Sequence, residues 1–271
     1  MSHLEHKEPI NPVIVTVENG IATLLFNRPA VYNAMNNELM LAFRDATVAL
    51  AKRDDIRVLI LKGEGKAFFA GGDVAEFHDR KDDPDLAATV KPMGDTLHDG
   101  IMAIRNMPFP VIAEIHGACA GAGVGVALAC DIAIASDKAS FNLAYTKIGL
   151  SPDGGATWFL PRMIGIRKTA ELIMLSDVVN ADTALTLGLV NRVVPADKLS
   201  IEVAALAKRL SQGATRAFAN TKRLLNSSFE TPMRAQMDNE IQLFAECVVT
   251  KDFNEGVTAF VKKRPPTFVG K

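Results

Sequence analysis

The sequence predicts a mixed α/β core of repeating ββα units followed by a helical C-terminal region. Two glycine-rich stretches carry the first half of that expectation. KAFFAGGDVAEF (residues 66–77) and EIHGACAGAGVGVALACD (residues 114–131) each emerge from an apolar strand and open a helix. The second half rests on a change of character beyond Pro195, after which residues 199–268 read as helices alone, broken near Gly213 and Pro232. A boundary near Ala196 divides the chain into a core, 1–195, and a helical region, 196–271, suited to oligomerisation.

Residues 13–17 and 21–26 run apolar or alternate around Glu18-Asn19-Gly20, the signature of a β-hairpin. Asn36 is an N-cap candidate for a helix with Leu39, Met40, Phe43, Ala46 and Leu50 on one face. RVLILK (57–62) is a short buried strand feeding the first glycine stretch. Residues 81–92 are charged and proline-flanked and read as a mobile loop. A helix from about 94 to 106 stops before Pro108 and Pro110. Residues 111–115 form the strand entering the second stretch, and 132–135 form the next strand. The two strand–turn–helix copies are too divergent to count as a sequence repeat. In the C-terminal region Ile241, Leu243, Phe244, Val248, Val257, Phe260 and Val261 are too many for a lone helical hairpin. They are expected to pack on the core or on a neighbouring subunit.

The 271 residues suffice for one large domain or a domain with an appendage, and 48% are apolar. A net charge of −1 excludes a global field that would recruit nucleic acid or membrane. Cys119, Cys130 and Cys247 have no zinc-site spacing and fit a reduced compartment. MSHLEHKEPINP at the N-terminus has neither an apolar signal core nor a basic amphipathic pattern. The longest apolar stretch, 124–135, is interrupted by Asp131 and is too short to span a bilayer. A soluble, cytoplasmic protein is expected.

Each glycine stretch puts bare backbone at a helix N-terminus, where amides lack intrahelical partners and the dipole is positive. Two such ends aimed at one point would hold an oxygen that becomes negative during a reaction. A dinucleotide site is rejected: Gly121-Ala122-Gly123 is followed by Val126 where the third small residue belongs, and Asp131 comes too early. The P-loop lacks its Gly-Lys-Ser/Thr. For Gly117, Gly121 and Gly125, four apart, close helix–sheet packing is the competing explanation. A third segment, KIGLSPDGGATWFLPR (147–162), carries Asp153 on a turn before a helix. Asp153 is that helix's N-cap, a carboxylate walled by apolar residues and used for proton transfer, or both. Phe77, Tyr145, Trp158 and Phe159 suggest an apolar acyl pocket, with plain core the alternative for each, and His116 is expected only to bond backbone.

With these segments in hand, the chain resembles the crotonase (enoyl-CoA hydratase/isomerase) superfamily over residues 14–268. LLFNRPAVYNAMN, KAFFAGGDVAEF, PVIAEIHGACAGAGVGVALACDIAIAS, GLSPDGGATWFLPRMIG and ALTLGLVNRVV occur in register. The resemblance implies a crotonase-like spiral of ββα turns, trimers or paired trimers, and a coenzyme A thioester as substrate, with no separate cofactor and no metal. It implies oxyanion-hole donors at the backbone amides of Gly72 and Ala122, alanine here standing for the usual glycine. It implies coenzyme contacts at Arg28, Val31, Ala34, Ala70, Asp73 and Val74. Phe244 and Lys263 match positions that touch the coenzyme, often from a neighbouring subunit; the alternative for Lys263 is one more solvated cation.

The departures narrow the branch. Hydratases of the family carry two glutamates that hold and activate water, and the matching positions here are Gly125 and Tyr145. Asp153 matches the catalytic aspartate of several isomerases, including the ring-opening isomerase of phenylacetate degradation. One carboxylate above an oxyanion hole suffices for a 1,3-proton shift. Three other readings stay open. One is a hydratase with water on Asp153 or Tyr145, and another is a binder of acyl-CoA without turnover. The third is an aryl-CoA dehalogenase using Asp153 and His98, against which Tyr145 replaces that enzyme's tryptophan.

Overall fold

The computed structural model describes residues 11–271. All but the last two residues of the N-terminal MSHLEHKEPINP segment lie outside that range. Strands β1 (Val13–Glu18) and β2 (Ile21–Phe26) pair antiparallel from Val13 opposite Phe26 to Glu18 opposite Ile21. Asn19 and Gly20 both take positive φ, 51° and 77°, as a two-residue hairpin turn requires. Helix α1 (Asn37–Leu50) is capped by Asn36, whose side chain accepts from the Leu39 amide at 3.0 Å. Its buried face is Leu39, Met40, Phe43 and Leu50, with Ala46 half-buried.

Three ββ units follow. They are β3 (Val58–Gly63) with β4 (Ala67–Phe69), β5 (Val111–Ile115) with β6 (Ala118–Ala120), and β7 (Ile132–Ser136) with β8 (Ser140–Asn142). The first strand of each unit joins one sheet and the second joins another, so the chain advances as a spiral. The larger sheet runs β1-β2-β3-β5-β7-β10, parallel beyond the hairpin, with β10 at Arg192–Val194. The smaller runs β4-β6-β8-β9, with β9 (Val179–Asn180) antiparallel at its edge. Phe26 joins the layers: it stacks on Phe69 at 4.8 Å, meets Phe68 edge-on at 5.8 Å and lies 5.7 Å from Phe43.

Helices α2 (Val74–Asp79) and α3 (Leu86–Asn106) follow the first unit, α4 (Ala122–Ala129) the second, and α5 (Ala156–Ile164) the third. The expected loop at 81–92 is corrected here. Helix α3 already begins at Leu86 and carries Pro92 inside it. Proline costs a helix one backbone bond, but Leu86, Val90, Met93 and Leu97 recur at helical spacing and line one cavity. That shared face outweighs the missing donor.

Beyond α6 (Ile166–Leu175) and α7 (Ala181–Thr186) the chain is helical: α8 (Leu199–Ser211), α9 (Thr215–Ser227), α10 (Met233–Val248) and α11 (Lys251–Val261). Leu199, Val203 and Ala207 of α8 cover Val58, Ile60, Ile112 and Ile134 on the outer face of the larger sheet. Each of the Val, Leu and Ile side chains contributes roughly 1.5–3 kcal/mol of gross burial. Helix α9 is fixed by an ion pair the sequence does not advertise. Lys222, 7% exposed, donates to Asp131 at 2.7 Å and to the Ile104 carbonyl at 2.8 Å. Burial pulls the Lys222 ammonium below its usual range, and Asp131 opposes that shift.

Leu243 and Ala259 are buried, whereas Ile241, Phe244, Phe260 and Val261 are exposed on α10 and α11. These four do not pack on their own core. No helix of the described residues is long and apolar enough to cross a membrane.

Candidate active site

The two glycine turns meet. A Cβ built on Gly121 would lie 3.4 Å from Gly71 Cα, and one on Gly71 would lie 2.9 Å from the Ala120 carbonyl oxygen. Gly121 takes φ 51° and ψ −127°, a region open to glycine, and its amide donates to the Asn142 carbonyl at 2.8 Å. Ala122 is the first residue of α4, so its amide has no intrahelical acceptor. Around Gly72, Met35 donates to Gly71 O at 2.7 Å and Asp73 donates to Met35 O at 3.0 Å, which passes the Gly72 amide by. Among the described residues neither the Gly72 nor the Ala122 amide donates to a protein acceptor. Both residues line one cavity of about 470 Å³. Gly117 precedes β6 and so shares no helical face with Gly121 and Gly125.

Asp153 borders the same cavity, on the turn before α5. It is not the cap of that helix: Gly155, at φ 79°, takes the N-cap position, and no side chain caps there. The Asp153 carboxylate instead accepts the Tyr145 hydroxyl at 2.6 Å. Tyr145 is buried on a 3-10 turn (Ala144–Ile148) and also faces the cavity. Burial pushes its phenol well above the usual range, and the adjacent Asp153 charge adds to that, so the hydroxyl keeps its proton and donates.

Gly125 sits against the same turn from below. A Cβ there would fall 2.0 Å from the Gly154 carbonyl oxygen, far inside van der Waals contact. The position therefore excludes any side chain, and the Asp153 turn packs on bare helix.

Met35, Met40, Phe77, Val90, Met93 and Leu97 give the cavity an apolar stretch of wall, and Glu76, Arg80, Lys91 and Asp95 also border it. Phe77 and Tyr145 thus stand where the acyl-pocket expectation puts them. Trp158 and Phe159 do not. Trp158 lies under the Arg162 guanidinium at 4.0 Å and edge-on to Phe159 at 5.0 Å, and Phe159 is buried in the core. Helix α5 turns that face away because Gly154 and Gly155 reverse the chain after Asp153. His98 borders the cavity from α3, and His116 bonds the Gly65 carbonyl at 3.0 Å.

Ala70, Asp73 and Val74 line the cavity, whereas Arg28, Val31 and Ala34 are not part of its wall. Arg28 bridges the two groups, pairing with Asp73 at 3.3 Å and donating to the Ala34 carbonyl. Phe244, 66% exposed, and Lys263, after α11, are not part of this cavity's wall. One organising residue escaped the sequence reading. Asn33 is fully buried with φ 59°; its oxygen accepts from Arg28 N at 2.8 Å and its nitrogen donates to the Glu64 and Ala67 carbonyls at 3.0 and 2.8 Å. Asparagine tolerates the left-handed region, a weak signal at Tyr32-Asn33 that could have marked it.

The family model for enoyl-CoA hydratase/isomerase matches residues 16–271. The chain belongs to that family. Members of the enoyl-CoA hydratase/isomerase family are enzymes of the crotonase superfamily, and the spiral described above is the fold they share. A trans-2-decenoyl-[acyl-carrier-protein] isomerase of Streptococcus mutans is 34% identical over 260 residues, 96% of this chain and 98% of that protein. A 1,2-epoxyphenylacetyl-CoA isomerase of Escherichia coli is also 34% identical, over 264 residues, 96% of this chain and 98% of that protein. The crystal structure of an enoyl-CoA hydratase from Polaromonas superposes with a TM-score of 0.88 at 34% identity, covering 94% of this chain and 98% of the other.

Proposed function

We propose that this family member is an isomerase that moves a carbon–carbon double bond of an acyl-CoA thioester. Asp153 acts as the single acid–base group. One observation carries the reading: the Asp153 carboxylate, held by Tyr145, faces the cavity bordered by the two free amides, while the positions of the hydratase glutamates hold Gly125, sealed by Gly154, and Tyr145. The proton leaves the carbon next to the thioester carbonyl for the Asp153 carboxylate, and the electron pair delocalises as a dienolate. The Gly72 and Ala122 amides hold the resulting oxyanion. The protonated acid then returns the proton two carbons further on, and the double bond ends conjugated with the carbonyl. The sequence is redox-neutral and balanced, so coenzyme A enters only as part of the substrate.

The methionine-rich wall of Met35, Met40 and Met93 suits an apolar acyl group, because thioether side chains adapt to varied shapes. The coenzyme is assigned to the strip Arg28, Val31, Ala34, Ala70, Asp73 and Val74. Phe244 and Lys263 complete it from a neighbouring subunit of a homotrimer or a dimer of trimers. The exposed Ile241, Phe244, Phe260 and Val261 support that assembly.

The test is a pair of assays on purified protein. Conversion of a 3-enoyl-CoA to the 2-enoyl isomer is expected, with hydration of crotonyl-CoA at least a hundredfold slower, on the order of the loss of one positioned acid–base group. Efficient hydration that survives loss of Asp153, or halide release from an aryl-CoA, would exclude the isomerase reading. Proline at 122 offers a second check. It removes the Ala122 N–H at the first helical position, the one place where proline is tolerated. The expected cost is about a hundredfold or more in kcat, with an unchanged melting curve as control.

A further inference from the structure

We propose that Tyr145 is a positioning residue that dedicates one oxygen of Asp153 to holding the carboxylate still and leaves the other as the sole proton carrier. The proposal rests on the reading of Asp153 as the acid–base group. The phenol donates to Oδ1 at 2.6 Å, and this is the one hydrogen bond the carboxylate makes among the described residues. A hydroxyl has a single proton, so it engages a single oxygen, and Oδ2 is left for the substrate.

Two features keep the phenol where it is. Its ring lies against the first glycine of the second turn: a Cβ on Gly121 would be 3.9 Å from Tyr145 Cζ and 4.0 Å from its oxygen. The Tyr145 carbonyl accepts the Leu150 amide at 3.0 Å, which ties its 3-10 turn to the segment leading into Asp153. The ring therefore lies between Gly121, the residue before Ala122, and the acid. Because the phenol is buried and stays protonated, it restrains the carboxylate without competing for the substrate's proton.

The consequence is stereochemical. A carboxylate pinned at Oδ1 cannot rotate to exchange its oxygens without breaking that bond. The oxygen that collects the proton must also deliver it, on the same face of the acyl chain, in competition with exchange to water. The wild-type enzyme should therefore carry a measurable share of deuterium from the α-carbon to the γ-carbon of a 3-enoyl-CoA in H₂O. Freed of its partner, the acid can turn and exchange with water.

The experiment compares Tyr145→Phe with wild type, reading kcat, KM and transferred deuterium by NMR. The variant is expected to keep KM within about twofold, to lose about tenfold in kcat, the usual effect of one charge-assisted hydrogen bond, and to transfer at most half as much label. A variant with wild-type kcat and wild-type label transfer overturns the proposal, as does a wild-type enzyme that transfers no label. An Asp153→Asn variant separates the two layers. If it is inactive while Tyr145→Phe behaves as wild type, the acid–base reading stands and the positioning falls; if it is active, the acid–base reading itself falls. The chain has two tyrosines, Tyr32 and Tyr145, so uniform 3-fluorotyrosine gives two fluorine resonances. Should Tyr145→Phe fail to fold, the Tyr145 resonance is expected to move on Asp153→Asn substitution, and an unmoved resonance overturns the proposal.

Discussion

Replacing Asp153 by asparagine is expected to lower kcat by about a thousandfold, within the range for losing a positioned acid–base group. KM should stay within a few-fold. The substitution preserves shape and leaves an oxygen that still accepts the Tyr145 hydroxyl, now 2.6 Å from the carboxylate. The Gly72 and Ala122 amides are untouched, so the thioester should bind as before. What disappears is the capacity to take a proton from one carbon and give it to another. Steady-state kinetics on a 3-enoyl-CoA, with calorimetric binding of the product thioester, checks both halves. If kcat stays within a few-fold of wild type, Asp153 is only a hydrogen-bond acceptor that anchors Tyr145.

Installing glutamate at position 125, the first of the two hydratase positions, is expected to destroy activity rather than confer hydration. The Cβ alone would meet the Gly154 carbonyl oxygen at 2.0 Å, more than 1 Å short of ordinary contact. Gly154 follows Asp153, so relief of that clash must push the Asp153 turn away from the cavity. A displacement of about 1 Å costs on the order of a hundredfold in rate. Overpacking of this kind adds about 3 kcal/mol of destabilisation, and a carboxylate without a partner in a fully buried helix adds more. Gly125→Ala isolates the steric part, with Gly125→Glu worse in both respects. Thermal denaturation and kcat on the same preparations measure it. A stable Gly125→Glu variant that hydrates crotonyl-CoA would mean the turn yields readily and would overturn the steric argument.

Much of the architecture was legible because it depends on local rules. The hairpin at Asn19-Gly20, the cap at Asn36 and the apolar runs of β3, β5 and β7 each follow from the residues inside the element. The helix through residues 86–93 was not, because proline in isolation argues for a break. The deciding contribution comes from a cavity face assembled with α1 and the glycine turns. Trp158 and Phe159 stayed undecided for a related reason: an aromatic after such a turn can face the site or the core, and the pair Gly154-Gly155 selects the core. Lys222 and Asp131 lie 91 positions apart, and no spacing rule connects them.

For the site, residue type and order alone identified the family and singled out the two glycine turns and Asp153, which the fold brings to one cavity, since each depends on a short motif. Only the tertiary structure revealed that Tyr145 holds Asp153, that Gly154 seals Gly125 and that Asn33 pins the loop beneath Arg28. Those are distances between segments far apart or turned back on themselves. A linear pattern records which groups are present, whereas packing sets which atoms come within 3 Å of one another, and the chemistry depends on the latter.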